Sequence, residues 1–249
     1  MHAIRWIDAV RTGRLGATGL SVIGTLSLLL PGVVHASNFR VSPVTLTVPA
    51  NRPIGSLTIT NSDSAPVSIK VATYRWTQVG GQDVYTPTDD LIASPPIFTT
   101  AAGAVQLIRV GVRRKVATAA YRVVLEEIPA AAKTGVAIAL NLNMPLYVVA
   151  NAAAKATVQW TARRTADATI LLEGHNSGDA PQQVLAIGLP GTGAGAPAIL
   201  SSAMGVVLPA SMRQWNIGKH PDWAPGLPLH LTIRTATGVN EVTANLSAG

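Results

Sequence analysis

No cysteine occurs among the 249 residues. Structural disulfides, thiolate metal sites and cysteine nucleophiles are thereby excluded. Export is not, because a domain with a large enough core needs no covalent staple. Charge is also sparse, with Asp, Glu, Lys and Arg together at 12%. The longest basic run is Arg113-Arg114-Lys115, whereas nucleic-acid binding asks for a clustered basic stripe interleaved with aromatics. Beyond the first 36 residues no apolar stretch reaches the roughly 20 residues a membrane span needs. The sequence is thus expected to bind no nucleic acid and, once its first segment is removed, to enter no membrane stably.

Glycine (22) and proline (17) are plentiful and hydrophobic residues reach 48%, a composition suited to many short strands joined by turns rather than to helices. The net charge is +7. Three of the 19 basic and one of the 12 acidic side chains lie in the first 36 residues, which leaves 16 against 11. That mild excess favours solubility or acidic protein partners.

Residues 1–36 read as a secretory signal. Arg5, Arg11 and Arg14 provide a positive start, Leu15 to Leu30 an apolar middle, and Val34-His35-Ala36 a small-residue cleavage site. Ser21, Gly24, Thr25 and Ser27 interrupt the apolar part and argue against a retained anchor. The mature chain is expected to begin near Ser37.

From Phe39 onward the hydrophobic pattern has a period of two. Phe39–Ser42, Val44–Val48, Leu57–Thr60, Val67–Val71, Val105–Val110, Tyr121–Ile128 and Val136–Val149 read as strands, with Asn61–Pro66 as a turn. About seven strands in roughly 110 residues is the rhythm of an immunoglobulin-like sandwich. The Ala-rich stretch Asn151–Ala156 reads as a boundary. Beyond it a second, smaller all-β domain is expected, with strands at Thr157–Trp160, Thr169–Glu173, Gln183–Gly188, Val206–Pro209, Met212–Ile217, Leu229–Arg234 and Glu241–Leu246. The expected organisation is a signal peptide (1–36), an N-terminal sandwich (37–150) and a C-terminal one (151–249).

Candidate chemistry is thin. Glu126 and Glu127 are adjacent on a strand, so they point to opposite faces and cannot converge on one substrate. His175, His220 and His230 lack metal-ligand spacing. Gly191–Gly195 is glycine-rich but no Gly-Lys-Ser/Thr follows, and no serine sits in a nucleophile elbow. Trp76 reads as a core residue. No catalytic residue, metal or cofactor is expected, and the chain is not expected to be an enzyme.

The most informative segment is Val136 to Asn143, where Val136, Ile138, Leu140 and Leu142 alternate with small or polar residues. Two readings stay open. In one, this strand turns its apolar row into its own core. In the other it is an edge strand that lends the row to another protein, giving main-chain hydrogen bonds for affinity and alternate side chains for specificity. Each aliphatic side chain fully buried contributes roughly 1.5–3 kcal/mol.

Several segments in order carry a family resemblance. These are Tyr74-Arg75-Trp76-Thr77-Gln78, Ser94-Pro95-Pro96, Gln106–Val110, Tyr121–Pro129, Met144-Pro145-Leu146-Tyr147 and, more loosely, Val207–Trp215. The chain resembles the periplasmic chaperones of the chaperone–usher pilus pathway, in particular the archaic branch of sigma-type and spore-coat-like fimbriae. That resemblance implies two immunoglobulin-like sandwiches set like a boomerang. It implies a donor strand (Val136, Ile138, Leu140, Leu142) that completes a pilus subunit lacking its last strand. It further implies fimbrium biogenesis and cell wall organisation, delivery to an outer-membrane usher, and a periplasmic location. The alternative reading is a secreted structural or adhesive β-sandwich of a surface fibre.

One departure matters. In the better-known branch two basic residues grip the subunit's C-terminal carboxylate, and here Thr45 and Pro145 align with those places. The resemblance to archaic members moves the anchor to Arg122, with Arg109 as a second candidate. If residues 130–135 form the hairpin loop, antiparallel pairing sets Arg122 opposite Asn143, beside Pro145. The plain alternative for Arg122 is a salt bridge to Glu126.

Overall fold

Alternating apolar positions become buried strand faces throughout the computed structural model, which describes residues 38–129, 139–191 and 198–249. All regular elements among these residues are strands. Ten precede residue 150: β1 (Phe39–Ser42), β2 (Leu46–Pro49), β3 (Ile54–Asn61), β4 (Val67–Val79), β5 (Gln82–Pro87), β6 (Leu91–Ser94), β7 (Ile97–Thr100), β8 (Val105–Val112), β9 (Ala119–Ile128) and β10 (Asn141–Val149). They form a four-stranded sheet, β1-β3-β8-β6, and a larger one, β2-β10-β9-β4-β5, with β7 also on β4. Between the sheets Leu57, Ile59, Ile69, Ile108, Tyr121, Val123, Leu125 and Leu146 are almost fully buried in one core. These are the alternate residues of β3, β4, β8, β9 and β10, so the period of two in the sequence is the packing of the sandwich.

Nine strands follow: β11 (Val158–Arg164), β12 (Thr169–Asn176), β13 (Gln182–Val184), β14 (Ala186–Gly188), β15 (Ile199–Ser201), β16 (Gly205–Val207), β17 (Ser211–Lys219), β18 (Pro228–Thr235) and β19 (Gly238–Ala248). Seven make one sheet, and β13 pairs with β16 in a second. Their core holds Ile170, Leu172, Val184, Ile187, Trp215, Leu231 and Ile233. The stretch read from sequence as one strand, Gln183–Gly188, is two. The chain leaves the small sheet after Val184 and joins the large one at Ala186, so Val184 and Ile187, three residues apart, both reach the core.

Both sandwiches share a turn that the two sequences repeat, Asn61-Ser62-Asp63-Ser64-Ala65-Pro66 and Asn176-Ser177-Gly178-Asp179-Ala180-Pro181. Each asparagine is buried. Asn61 Nδ2 donates to the carbonyls of Ala65, Thr100 and Ala101, and its Oδ1 accepts from Asp63 N. Asn176 Nδ2 donates to Ala180 and Val207, and its Oδ1 accepts from Thr157 N and Gly178 N. One side chain thus satisfies backbone groups that a turn packed into a sandwich end would otherwise leave unpaired.

Candidate subunit-binding cleft and edge

A single cross-strand row builds the site. Tyr85 on β5 pairs with Trp76 on β4, Trp76 with Ala120 on β9, and Ala120 with Tyr147 on β10. All four lie on the face of the larger sheet that looks away from the first core. Because Ala120 is small, the rings of Trp76 and Tyr147 close over it to 5.9 Å between centroids, and Tyr85 stands 6.0 Å from Trp76 on the other side. Leu208 and Val206 of the second sandwich cover this row and bury Trp76. Trp76, expected in the core of its own domain, is therefore part of the seam between the sandwiches. Its position on an outward strand face was readable from the alternation of Tyr74, Trp76 and Gln78 against Val67, Ile69 and Val71.

Polar contacts fix the seam. Gln78 Nε2 donates to the Val206 carbonyl (2.6 Å) and Gln78 Oε1 accepts from Leu208 N (3.0 Å). Gln214 N donates to the Gly81 carbonyl. Gly81 has φ +77°, and a Cβ there would come within 2.9 Å of Gln214 Cβ, so both the turn and the close approach require glycine. Arg213 on β17 forms an ion pair with Asp83 on β5, and Asp83 also accepts from Trp76 Nε1 and Gln78 Nε2, both at 2.9 Å. Burial raises the Asp83 pKa, but the bonds from Gln78, Arg213 and Trp76 outweigh it and hold the carboxyl below its ordinary value. Burial pushes the Tyr147 hydroxyl up to about 12, against the opposing pull of the Arg122 cation.

Beside this seam lies a cleft of about 590 Å³. Thr45, Thr47, Trp76, Asp83, Tyr85, Arg122, Pro145 and Tyr147 line it from the first sandwich, and Pro181, Gln183, Met204, Gly205, Val206 and Arg213 from the second. Arg122 sits one outward position along β9 from Ala120. Its guanidinium folds back across the gap that Ala120 leaves and stacks 3.8 Å above the Trp76 ring centroid, with Tyr85 at 5.5 Å. Arg122 Nη2 donates to the Tyr85 hydroxyl over a long 3.4 Å, and its Nε is buried with no hydrogen-bond partner. Among the described residues no carboxylate forms an ion pair with it. Glu126 pairs instead with Lys70, and Asp83 with Arg213. Glu127 Oε2 accepts from Leu140 N at the end of the β9–β10 ladder.

Arg122 faces Pro145, two residues further along β10 than the expected Asn143, which faces Val124. Among the described residues the ladder's last contact is Glu127 N with the Leu140 carbonyl. A slip of two keeps every side chain on its face. Thr45, Pro145 and Arg122 thus share one cleft wall. Arg109 lies elsewhere, exposed on the four-stranded sheet opposite Ser56 and Ser94.

The second feature is an edge. The strand β2 pairs with β10 in parallel only from Leu146 to Val149. From Asn141 to Pro145, β10 is paired with β9 on one side, and no described strand pairs with its other side. A proline, which donates nothing to a ladder, stands at the last of these positions. Along the core-facing row exposure rises steadily. Val148 and Leu146 are 1% exposed, Met144 5%, Leu142 is half-buried against the core, and Leu140 is 37% exposed. Val136 and Ile138 lie outside the described residues.

Residues 38–151 match the family described as pili and flagellar-assembly chaperone, PapD N-terminal domain. This stretch is the N-terminal domain of a pilus-assembly chaperone. Solved chaperones share the fold well beyond it. One is a chain of the CsuC–CsuE chaperone–tip adhesion subunit complex from the archaic Csu pili of Acinetobacter baumannii. Its TM-score is 0.64 at 18% identity, over 85% of this chain and 99% of that one. The E. coli chaperone DraB matches at a TM-score of 0.57 and 14% identity, over 86% and 98%. Pseudomonas aeruginosa CupB2 matches at 0.53 and 13%, over 84% and 100%. At these identities the likeness is one of fold, two immunoglobulin-like β-sandwiches. No curated protein matches the chain in sequence. Pilus-assembly chaperones are not enzymes. Among the described residues no group of His, Asp and Glu could hold a metal ion, and no helix is long and apolar enough to cross a membrane.

Proposed function

We propose that this pilus-assembly chaperone captures its subunit by donor-strand complementation at β10, anchors the subunit's C-terminal carboxylate at Arg122, and hands the subunit to an outer-membrane usher. It acts in the periplasm after residues 1–36 are removed. The observation that carries the reading is the edge of β10, half-open among the described residues, which runs into a cleft whose arginine has no carboxylate partner among them. An extended subunit strand laid along Asn141–Pro145 pairs its backbone with that edge, and the row through Leu142, Leu140, Ile138 and Val136 enters the subunit's incomplete core. At the end of such a strand the free carboxylate meets a forked guanidinium suited to bind it with two parallel hydrogen bonds.

Arg122→Ala is expected to abolish recovery of a co-expressed subunit while leaving the melting of the free chaperone within a few degrees of wild type. Normal recovery removes Arg122 from the site. Arg109→Ala is the companion variant, and loss of recovery there would shift the anchor to the opposite sheet.

A further inference from the structure

Arg122 has an unusual holder. A guanidinium normally takes its place from carboxylates or carbonyls at hydrogen-bond distance, and here a ring face does that work. The stack on Trp76 is at 3.8 Å, the single hydrogen bond to Tyr85 is 3.4 Å long, and Nε has no partner. Where Trp76 lies therefore decides where Arg122 lies. Trp76 is fixed in turn by its indole N–H, which donates to Asp83 Oδ1 at 2.9 Å. Asp83 sits two positions from Tyr85 on β5, and its other oxygen is held by Arg213 of the second sandwich. Arg213 lies flat against Gly205, where any Cβ would collide with its guanidinium. The chain of contacts runs without a gap from β17 through Asp83 and Trp76 to Arg122.

We propose that Asp83 and Trp76 are positioning residues for Arg122, through which the seating of the second sandwich sets the aim of the cation at the cleft. The inference rests on the reading of Arg122 as the carboxylate anchor for its purpose, though not for its geometry. A carboxylate bound by two parallel hydrogen bonds needs the guanidinium plane held edge-out to the cleft. Stacking on the indole holds the guanidinium, commits only Nη2 to a long bond with Tyr85 among the described residues, and lets the arrangement exist before the guest arrives. Seating of the second sandwich thus becomes a condition for tight capture even though few of its residues would touch the guest's terminus.

The test is nuclear magnetic resonance of the Arg122 side chain in the whole mature chain. Protons above an indole face are shifted upfield, so the Arg122 δ-methylene and Nε–H signals are expected well upfield of ordinary arginine. Asp83→Ala, and separately Arg213→Ala in the other sandwich, are expected to return them most of the way to ordinary positions while the amide spectra of both cores stay dispersed. Arg122 signals unmoved by Asp83→Ala would overturn the proposal. Should Asp83→Ala fail to fold, Asp83→Ser, which stays polar but is too short to reach the indole N–H, gives the same reading with the indole in place. A binding arm uses a Val-Thr repeat peptide with either a free or an amidated C-terminus. The wild type is expected to prefer the free acid. Asp83→Ala is expected to cut that preference five- to tenfold, and to have no further effect once Arg122→Ala has removed it. An additive effect in the double variant would also overturn the proposal. If the wild type shows no preference for the acid while the Arg122 signals still respond to Asp83→Ala, positioning stands and the carboxylate reading fails.

Discussion

At the scale of single residues, the two buried asparagines make the sharpest stability test. Asn61→Ala removes a donor from three carbonyls, of which Ala101 keeps Ala104 N, and an acceptor from one N–H, and Asn176→Ala removes two of each. Each substitution is expected to cost roughly 2–4 kcal/mol, since unmet buried groups cost about 1–3 kcal/mol apiece and water reaches some of them. Urea unfolding checks this through a lower midpoint at unchanged slope. Tyr147 gives a pH test. Its hydroxyl loses a proton at about 12 in the fold and at about 10 in the open chain, so the unfolded state sheds protons first. That contribution to stability is whole below pH 10 and is lost as pH rises towards 12. Tyr147→Phe is expected to flatten the loss, which thermal melts at pH 9 and pH 11 would register. Asp83 has the opposite sign. Its depressed pKa adds stability above the ordinary aspartate range and loses it as pH falls through the folded value. These roles were unevenly legible in the sequence. The turn character of Asn61–Pro66 follows from composition, but its match with Asn176–Pro181 needs the two stretches to be set side by side. The alternation along β4 puts Trp76 on the outward face, but that Val206 and Leu208 cover it there is a tertiary fact.

The element that carries the function is β10. Its alternation was plain from Leu142 to Val148, and so was its choice of two fates, own core or lent edge. What the sequence could not supply is where β2 starts to pair, because that register is not encoded in β10 itself. The exposure gradient gives a prediction within the one strand. Met144→Asp places a charge in a nearly closed core and is expected to destabilise the free protein by several kcal/mol. Leu140→Asp, at a position already 37% exposed, is expected to change stability by less than about 1 kcal/mol while sharply reducing subunit capture. Equal loss of stability in the two variants would mean that Leu140 belongs to the chaperone's own core. The hairpin between β4 and β5 is the second decisive element. Gly81→Leu forces a side chain against Gln214 and Met212 and is expected to loosen the seam without melting either sandwich. Faster proteolysis within 151–156, with both cores still cooperative, is the expected outcome.

For the molecule as a whole, two cores that share no sheet meet, among the described residues, through an aromatic row, an ion pair, a glutamine and the Gln214–Gly81 backbone bond. A small set of contacts is enough because each sandwich has a hydrophobic core of its own and the seam has only to fix their angle. The all-β architecture followed from strand rhythm. The lining of the cleft did not, since Arg122, Pro145, Met204 and Arg213 come from segments far apart in the chain. Amide hydrogen exchange across β10 tests the central claim most directly. In the free chaperone the outward-pointing amides among Asn141–Met144 are expected to exchange fast while Leu146–Val149, already paired with β2, exchange slowly. With a subunit bound, the fast amides are expected to become protected by at least a hundredfold and the slow ones to stay as they were. A complex in which Asn141–Met144 exchange as fast as before would mean that the subunit is held somewhere else.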